Sequence, residues 1–294
     1  MTAVVAPFPS ARARRVETAG RGSLAAIVAF AAAVFMLLIY SQGWELLVIG
    51  GDDETAHAEL LRNLFLPAYG ASVLLAAFAP ASFARGLVRQ PFLIALLCVV
   101  TASWFWSASP DQTSRRLFAL IFTTLSGAAL AARFSWARLA EAISACFAIL
   151  ALASLFAGLF APSFGRMTDL FPGAWRGLWL EKNSFGGFMA VGAAACAGAA
   201  LLNPRRGVGW WGAALLCIFL VIMSTSKTAL ISLVAAAGAL VLVWAVRRGR
   251  ASAVAMIWAA GVALAIAGVI ALFAPDLVFK ALGKSETLTG RTDI

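Results

Sequence analysis

The sequence predicts an all-α fold: a polytopic transmembrane helical bundle of about nine spans with a cytoplasmic N-terminus. Three observations predict it. Hydrophobic residues make up 62% of the chain and charged residues 12%, with a mean hydropathy of +0.91. A soluble domain is nearer half apolar and a quarter charged. Apolar runs close to the roughly 20 residues that cross a bilayer as a helix recur along the chain. Arginine groups recur after every second run, as alternating topology and the retention of positive charge on the cytoplasmic side demand.

The runs are Leu24–Tyr40, Leu64–Phe83, Pro91–Trp106, Leu117–Ala132, Ala140–Ala161, Phe185–Leu202, Trp210–Met223, Ala229–Val246 and Ala253–Phe273. Each is helical because backbone amides in hydrocarbon must pair within their own segment. A basic tail, residues 1–23, carries Arg12, Arg14, Arg15 and Arg21. Leu24–Tyr40 has no small-residue cleavage site leading into a soluble domain, so it reads as an uncleaved first span. Arg85 and Arg89, Arg133 and Arg138, Arg205 and Arg206, and Arg247, Arg248 and Arg250 mark the cytoplasmic loops. Ala193–Ala200 is rich in small residues that let membrane helices approach closely. The spans and their loops occupy residues 24–273. Outer loops are expected at 41–63, 107–116, 162–184 and 224–228, and 274–294 reads as the start of another.

The outer side is the informative one. All four lysines and six arginines fall there: Arg62, Arg115, Arg116, Arg166, Arg176, Lys182, Lys227, Lys280, Lys284 and Arg291. Insertion disfavours positive charge on that side. Eleven of the 13 carboxylates, all but Glu17 and Glu141, lie there too. The concentration points to an anionic ligand at the outer face.

Other classes are excluded more simply. The net charge of +10 is distributed by membrane side, and no soluble basic run is interleaved with aromatics, so nucleic-acid binding is not expected. Cys98, Cys146, Cys196 and Cys217 each sit in an apolar run without C-x-x-C spacing, and read as small packing residues. His57, the single histidine, reads as a solvated loop residue.

Four outer segments carry chemistry. In Trp175–Gly187, WRGLWLEKNSFGG, Lys182 and Asn183 stand at the N-terminal end of a helix, where free amides and the dipole favour anions. Arg176 adds a planar fork suited to phosphate. Trp175 and Trp179 read as interfacial anchors. Ser224–Lys227, STSK, forms a tight turn and a compact donor cluster. In Ser109–Arg116, SPDQTSRR, Thr113 or Ser114 is expected to cap a helix beginning near Arg115, with Arg115 and Arg116 as paired phosphate ligands. In Thr287–Thr292, TLTGRT, Arg291 follows a glycine that frees the backbone to approach a ligand.

Taken in order, these blocks resemble the O-antigen ligase and polymerase superfamily, and most closely its exopolysaccharide-polymerisation branch. The likeness covers roughly Ser107 to Ile294. It implies a multi-span bacterial inner-membrane protein, an inverting glycosyltransferase acting on the periplasmic side without metal, nucleotide or other cofactor. The donor would be an undecaprenyl-pyrophosphate-linked glycan and the acceptor a glycan or lipid, with other polysaccharide-assembly membrane proteins as further partners. Residue by residue, Arg176 matches the arginine of the family's first large loop, and Lys182 and Asn183 its K-N pair. Ser226 and Lys227 match the serine–basic pair, and Arg291 the arginine of the G-R-T block. Arg176, Lys182 and Arg291 would then act in catalysis, with Glu181 as candidate base. Arg115, Arg116, Asn183, Ser226 and Lys227 would hold the pyrophosphate. The cationic members from separate segments are expected to converge in one cavity. Family members continue into a histidine-bearing block, so the chain reads as C-terminally truncated, with a non-catalytic truncated paralogue as an alternative. An anion transporter is the other rival.

Overall fold

The computed structural model describes residues 24–50, 58–168 and 171–273. Among them every regular element is helical. The long helices are α1 (Leu24–Tyr40), α2 (Leu66–Ala77), α3 (Pro80–Val88), α4 (Pro91–Ala102) and α5 (Pro110–Arg133). They continue with α6 (Trp136–Phe160), α7 (Lys182–Leu202), α8 (Gly207–Met223), α9 (Lys227–Arg248) and α10 (Arg250–Phe273).

Among the described residues, six helices are long and apolar enough to cross a membrane: Glu59–Ala77, α5, α6, α7, Pro204–Met223 and α9. The count becomes seven if α3 and the Pro91–Trp106 segment, bent by 81° to one another, form one broken span. Leu24–Tyr40 is apolar but shorter, and so is Arg250–Ala263, the stretch of α10 whose side chains are continuously described. The outward surface is what a bilayer-facing bundle needs. Phe92 and Val208 are each 90% exposed, and Val234 and Ile257 also face outward. A soluble protein does not leave so many large apolar groups in water.

Helix α7 is the hub. It packs on α6, α8 and α9, while α6 also packs on α1 and α8. Alanine and glycine make this close approach possible, as on the buried stripe Gly186, Ala190, Ala193 and Ala197. Helix α1 links this group to α2, which packs on α5, which packs on α3. Cys146, Cys196 and Cys217 are buried in the core, as small packing residues; Cys98 is exposed.

Two expectations change. Helix α5 begins at Pro110, five residues before Arg115, because proline at the first helical position gives up no hydrogen bond. Thr113 and Ser114 therefore lie inside the helix and cap nothing. Thr113 instead shares a hydroxyl contact with Ser107 at 2.6 Å, and Ser114 donates to the Asp111 carbonyl at 2.9 Å. Trp175 and Trp179 are core residues, 6% and 3% exposed, not interfacial anchors. The loop before α7 folds back over the helix ends and carries both indoles inward.

Candidate functional site

The Pro162–Glu181 connection is held by backbone. A one-turn helix, Pro162–Gly165, packs on α6. The Gly165 carbonyl accepts from the amides of Arg176 and Gly177, both at 3.0 Å, and Arg166 bridges to Trp175. Arg166 donates from Nε to the Gly158 carbonyl in the last turn of α6 at 2.9 Å, and its guanidinium lies over the Trp175 ring. This is C-terminal capping of α6, favoured by the helix dipole, so one of the cations that the sequence assigns to the outer side has a structural task. Arg62 has another, pairing with Glu59 one helical turn away at 3.2 Å.

Gly177 has φ +58, and a Cβ there would meet Phe185 and the Ser154 hydroxyl within 2.7 Å. Only glycine fits both the backbone and the space. The turn sends Trp179 inward, where its indole N–H donates to the Ser41 carbonyl at 3.0 Å and its ring stacks on Phe188. The chain then enters α7 at Lys182.

The Ser224–Lys227 turn meets this loop directly. The Trp175 amide donates to the Met223 carbonyl at 3.1 Å. Gly186 lies so close to the turn that a Cβ would meet the Ser224 oxygen at 2.6 Å and the Ala229 methyl at 2.8 Å. Ser226 caps α9, its hydroxyl oxygen accepting from the Ala229 amide, and donates its proton to Asn183 Oδ1 at 3.0 Å. Lys182 Nζ lies 3.4 Å from Thr225 Oγ1 and 3.5 Å from the Phe171 ring centroid. Lys227 stands at the first position of α9, directly after Ser226.

The starts of α7 and α9 thus stand side by side. Each brings a lysine, a positive dipole end and amides without intrahelical acceptors. Thr225 sits between them at φ +52, a costly conformation for a β-branched residue. Strain of this kind persists where the surroundings dictate it, commonly at functional sites. Among the described residues no carboxylate pairs with Arg176, Lys182 or Lys227. The arrangement has charge and donors to offer an anion.

The other expected members divide. Arg176 is half-buried beside the junction, its Nε committed to the Phe164 carbonyl at 2.9 Å. Glu181 is exposed at the N-cap of α7 and makes no side-chain cap bond. Arg115 and Arg116 are exposed on α5, which packs on α2 and α3. No hydrogen bond, ion pair or ring contact joins them to the junction among the described residues. Arg291, Lys280, Lys284, Asp169 and His57 lie outside the described residues. No three His, Cys, Asp or Glu side chains come together as a metal site among the described residues.

Sequence reasoning missed a second polar centre at the far end of α6 and α7. Glu141, 3% exposed, accepts from Arg138 Nη1 at 2.6 Å, Asn203 Nδ2 at 3.1 Å and Arg206 Nη1 at 3.4 Å. Its sequence signal was faint: a lone carboxylate in an arginine-marked region, three residues after Arg138. Comparison with family models, with curated proteins and with solved structures finds no match to this chain.

Proposed function

We propose that this chain is a bacterial inner-membrane glycosyltransferase that polymerises or ligates undecaprenyl-pyrophosphate-linked oligosaccharide on the periplasmic side. The observation that supports this most is the junction of α7 and α9, with two lysines at adjacent helix starts that pair with no carboxylate among the described residues. In this reading the helices that qualify as spans, the Pro91–Trp106 segment, α1 and α10 make nine crossings with a cytoplasmic N-terminus. The junction then faces the periplasm at the membrane boundary, where a lipid-linked pyrophosphate resides.

The chemistry follows from charge. An acceptor hydroxyl attacks the anomeric carbon from the face opposite the leaving group. The bond from that carbon to the pyrophosphate oxygen breaks, and the electron pair leaves with the lipid pyrophosphate. Lys182, Lys227 and Arg176 stabilise the growing negative charge, together with the amides of both helix starts. Asn183, held by Ser226, offers neutral donors. Glu181 takes the acceptor proton. By the resemblance, Arg291 would join the same anion site, and Arg115 and Arg116 would help to hold the donor.

The test is glycan transfer from a lipid-linked donor at matched protein level. Arg176→Ala lowers turnover by on the order of a hundredfold, the scale of one lost charge-stabilising donor. Arg176→Lys restores little, because a point charge does not reproduce the planar fork. Wild-type turnover in the alanine variant removes Arg176 from the site. A second reading, an anion transporter, is favoured by the 81° break after α3, since discontinuous helices mark transporter sites. Anion uptake into proteoliposomes without glycan transfer would select it.

A further inference from the structure

We propose that a cavity at the arginine-rich end of the bundle, between the start of α6 and the turn joining α7 to α8, binds a phosphate-bearing anion. The cavity is lined by Glu141, Asn203, Pro204, Arg205 and Arg206 and has a volume of about 390 Å³. That is within the size range of small-molecule sites. It is separate from the α7–α9 junction: the 21 residues of α7 put the two ends about 30 Å apart.

The charge balance gives the ligand its sign. Glu141 is the one carboxylate in the lining, and Arg138, Arg206 and Asn203 already satisfy it. Each guanidinium has five N–H donors, far more than one carboxylate can use. The Arg206 side chain stays 64% exposed while touching Glu141 at 3.4 Å. Arg205 has no ion pair among the described residues. Neutralised Glu141 therefore acts as a brace, fixing Arg206 at the wall while surplus donors line the space.

A further observation agrees. Trp136, at the start of α6, is 84% exposed, and Trp211, in the first turns of α8, is half-exposed. Exposed tryptophans mark the headgroup level of a bilayer. A basic recess at that level suits the phosphate of an anionic lipid, or a soluble phosphate ester.

The experiment uses the full chain in detergent micelles, with retained lipid counted by native mass spectrometry. Phosphatidylglycerol and phosphatidylcholine are offered in parallel, with inorganic phosphate as a competitor. Phosphatidylglycerol is expected to bind preferentially, and Arg205→Gln to weaken it about fivefold, the effect of one basic residue facing an anionic headgroup. The variant should melt like wild type without added lipid, because Arg205 holds no ion pair among the described residues. Persistence of the lipid against inorganic phosphate assigns a headgroup; displacement assigns a soluble phosphate source. Equal retention of both lipids, or undiminished phosphatidylglycerol binding to Arg205→Gln, overturns the site.

Discussion

The Ser226 hydroxyl donates to Asn183 Oδ1 at 3.0 Å, across 43 residues of sequence, and ties the first turn of α9 to the first turn of α7. The same oxygen caps α9 by accepting from the Ala229 amide. With its proton given to Asn183, the contact with Thr228 Oγ1 at 3.0 Å must run from the threonine hydroxyl. One buried serine thus carries a helix cap and an interhelical link.

Ser226→Ala removes both. A lost N-cap costs about 1 kcal/mol, and an unpaired partner adds a comparable amount. The variant should be destabilised by about 2 kcal/mol in reversible unfolding in micelles. Asn183→Ala, which leaves the cap intact, should cost less. Equal costs would mean that the cap contributes nothing.

Two adjacent glycines separate packing from propensity. Gly186→Ala forces a methyl against Ser224 and Ala229, while Gly187→Ala meets nothing within 4 Å. The first should destabilise by about 1–3 kcal/mol. The second should be neutral or stabilise by up to about 1 kcal/mol, as alanine is the better helix former. Thermal melts of the pair check this, and a stable Gly186→Ala would show that α7 and the turn are less tightly apposed.

Glu141 predicts a large effect far from the junction. Glu141→Ala leaves Arg138 without its 2.6 Å partner and should cost about 3 kcal/mol. Arg206→Gln, at the exposed member of the group, should cost under about 1 kcal/mol. The ratio of the two, read from unfolding midpoints, distinguishes a buried brace from a solvated pair.

Topology is open to direct measurement. Reporter fusions at Gly207 and Arg248 should report cytoplasm, and fusions at Asp169 and Lys284 periplasm. A cytoplasmic Asp169 would overturn the functional reading, because the lysines and arginines around it would then merely obey the insertion rule.

Much of the fold is written in single-residue properties. Apolar run length makes membrane helices, since no other local structure satisfies its amides in lipid. Lys182 and Asn183 were legible as a helix start, and Ser226 and Lys227 as a tight turn, because such signals are local. Pairings between distant segments are not local. That Asn183 meets Ser226, that Trp175 and Trp179 turn inward, and that Arg166 caps α6 follow from how α6, α7, α8 and α9 pack. Glu141 shows the difference most clearly. In the sequence it is one carboxylate in an arginine-rich region; its burial and its partners exist only because α7 and the turn after it are laid against α6. The energy of a buried charge is decided by the groups brought beside it, and those come from tertiary packing.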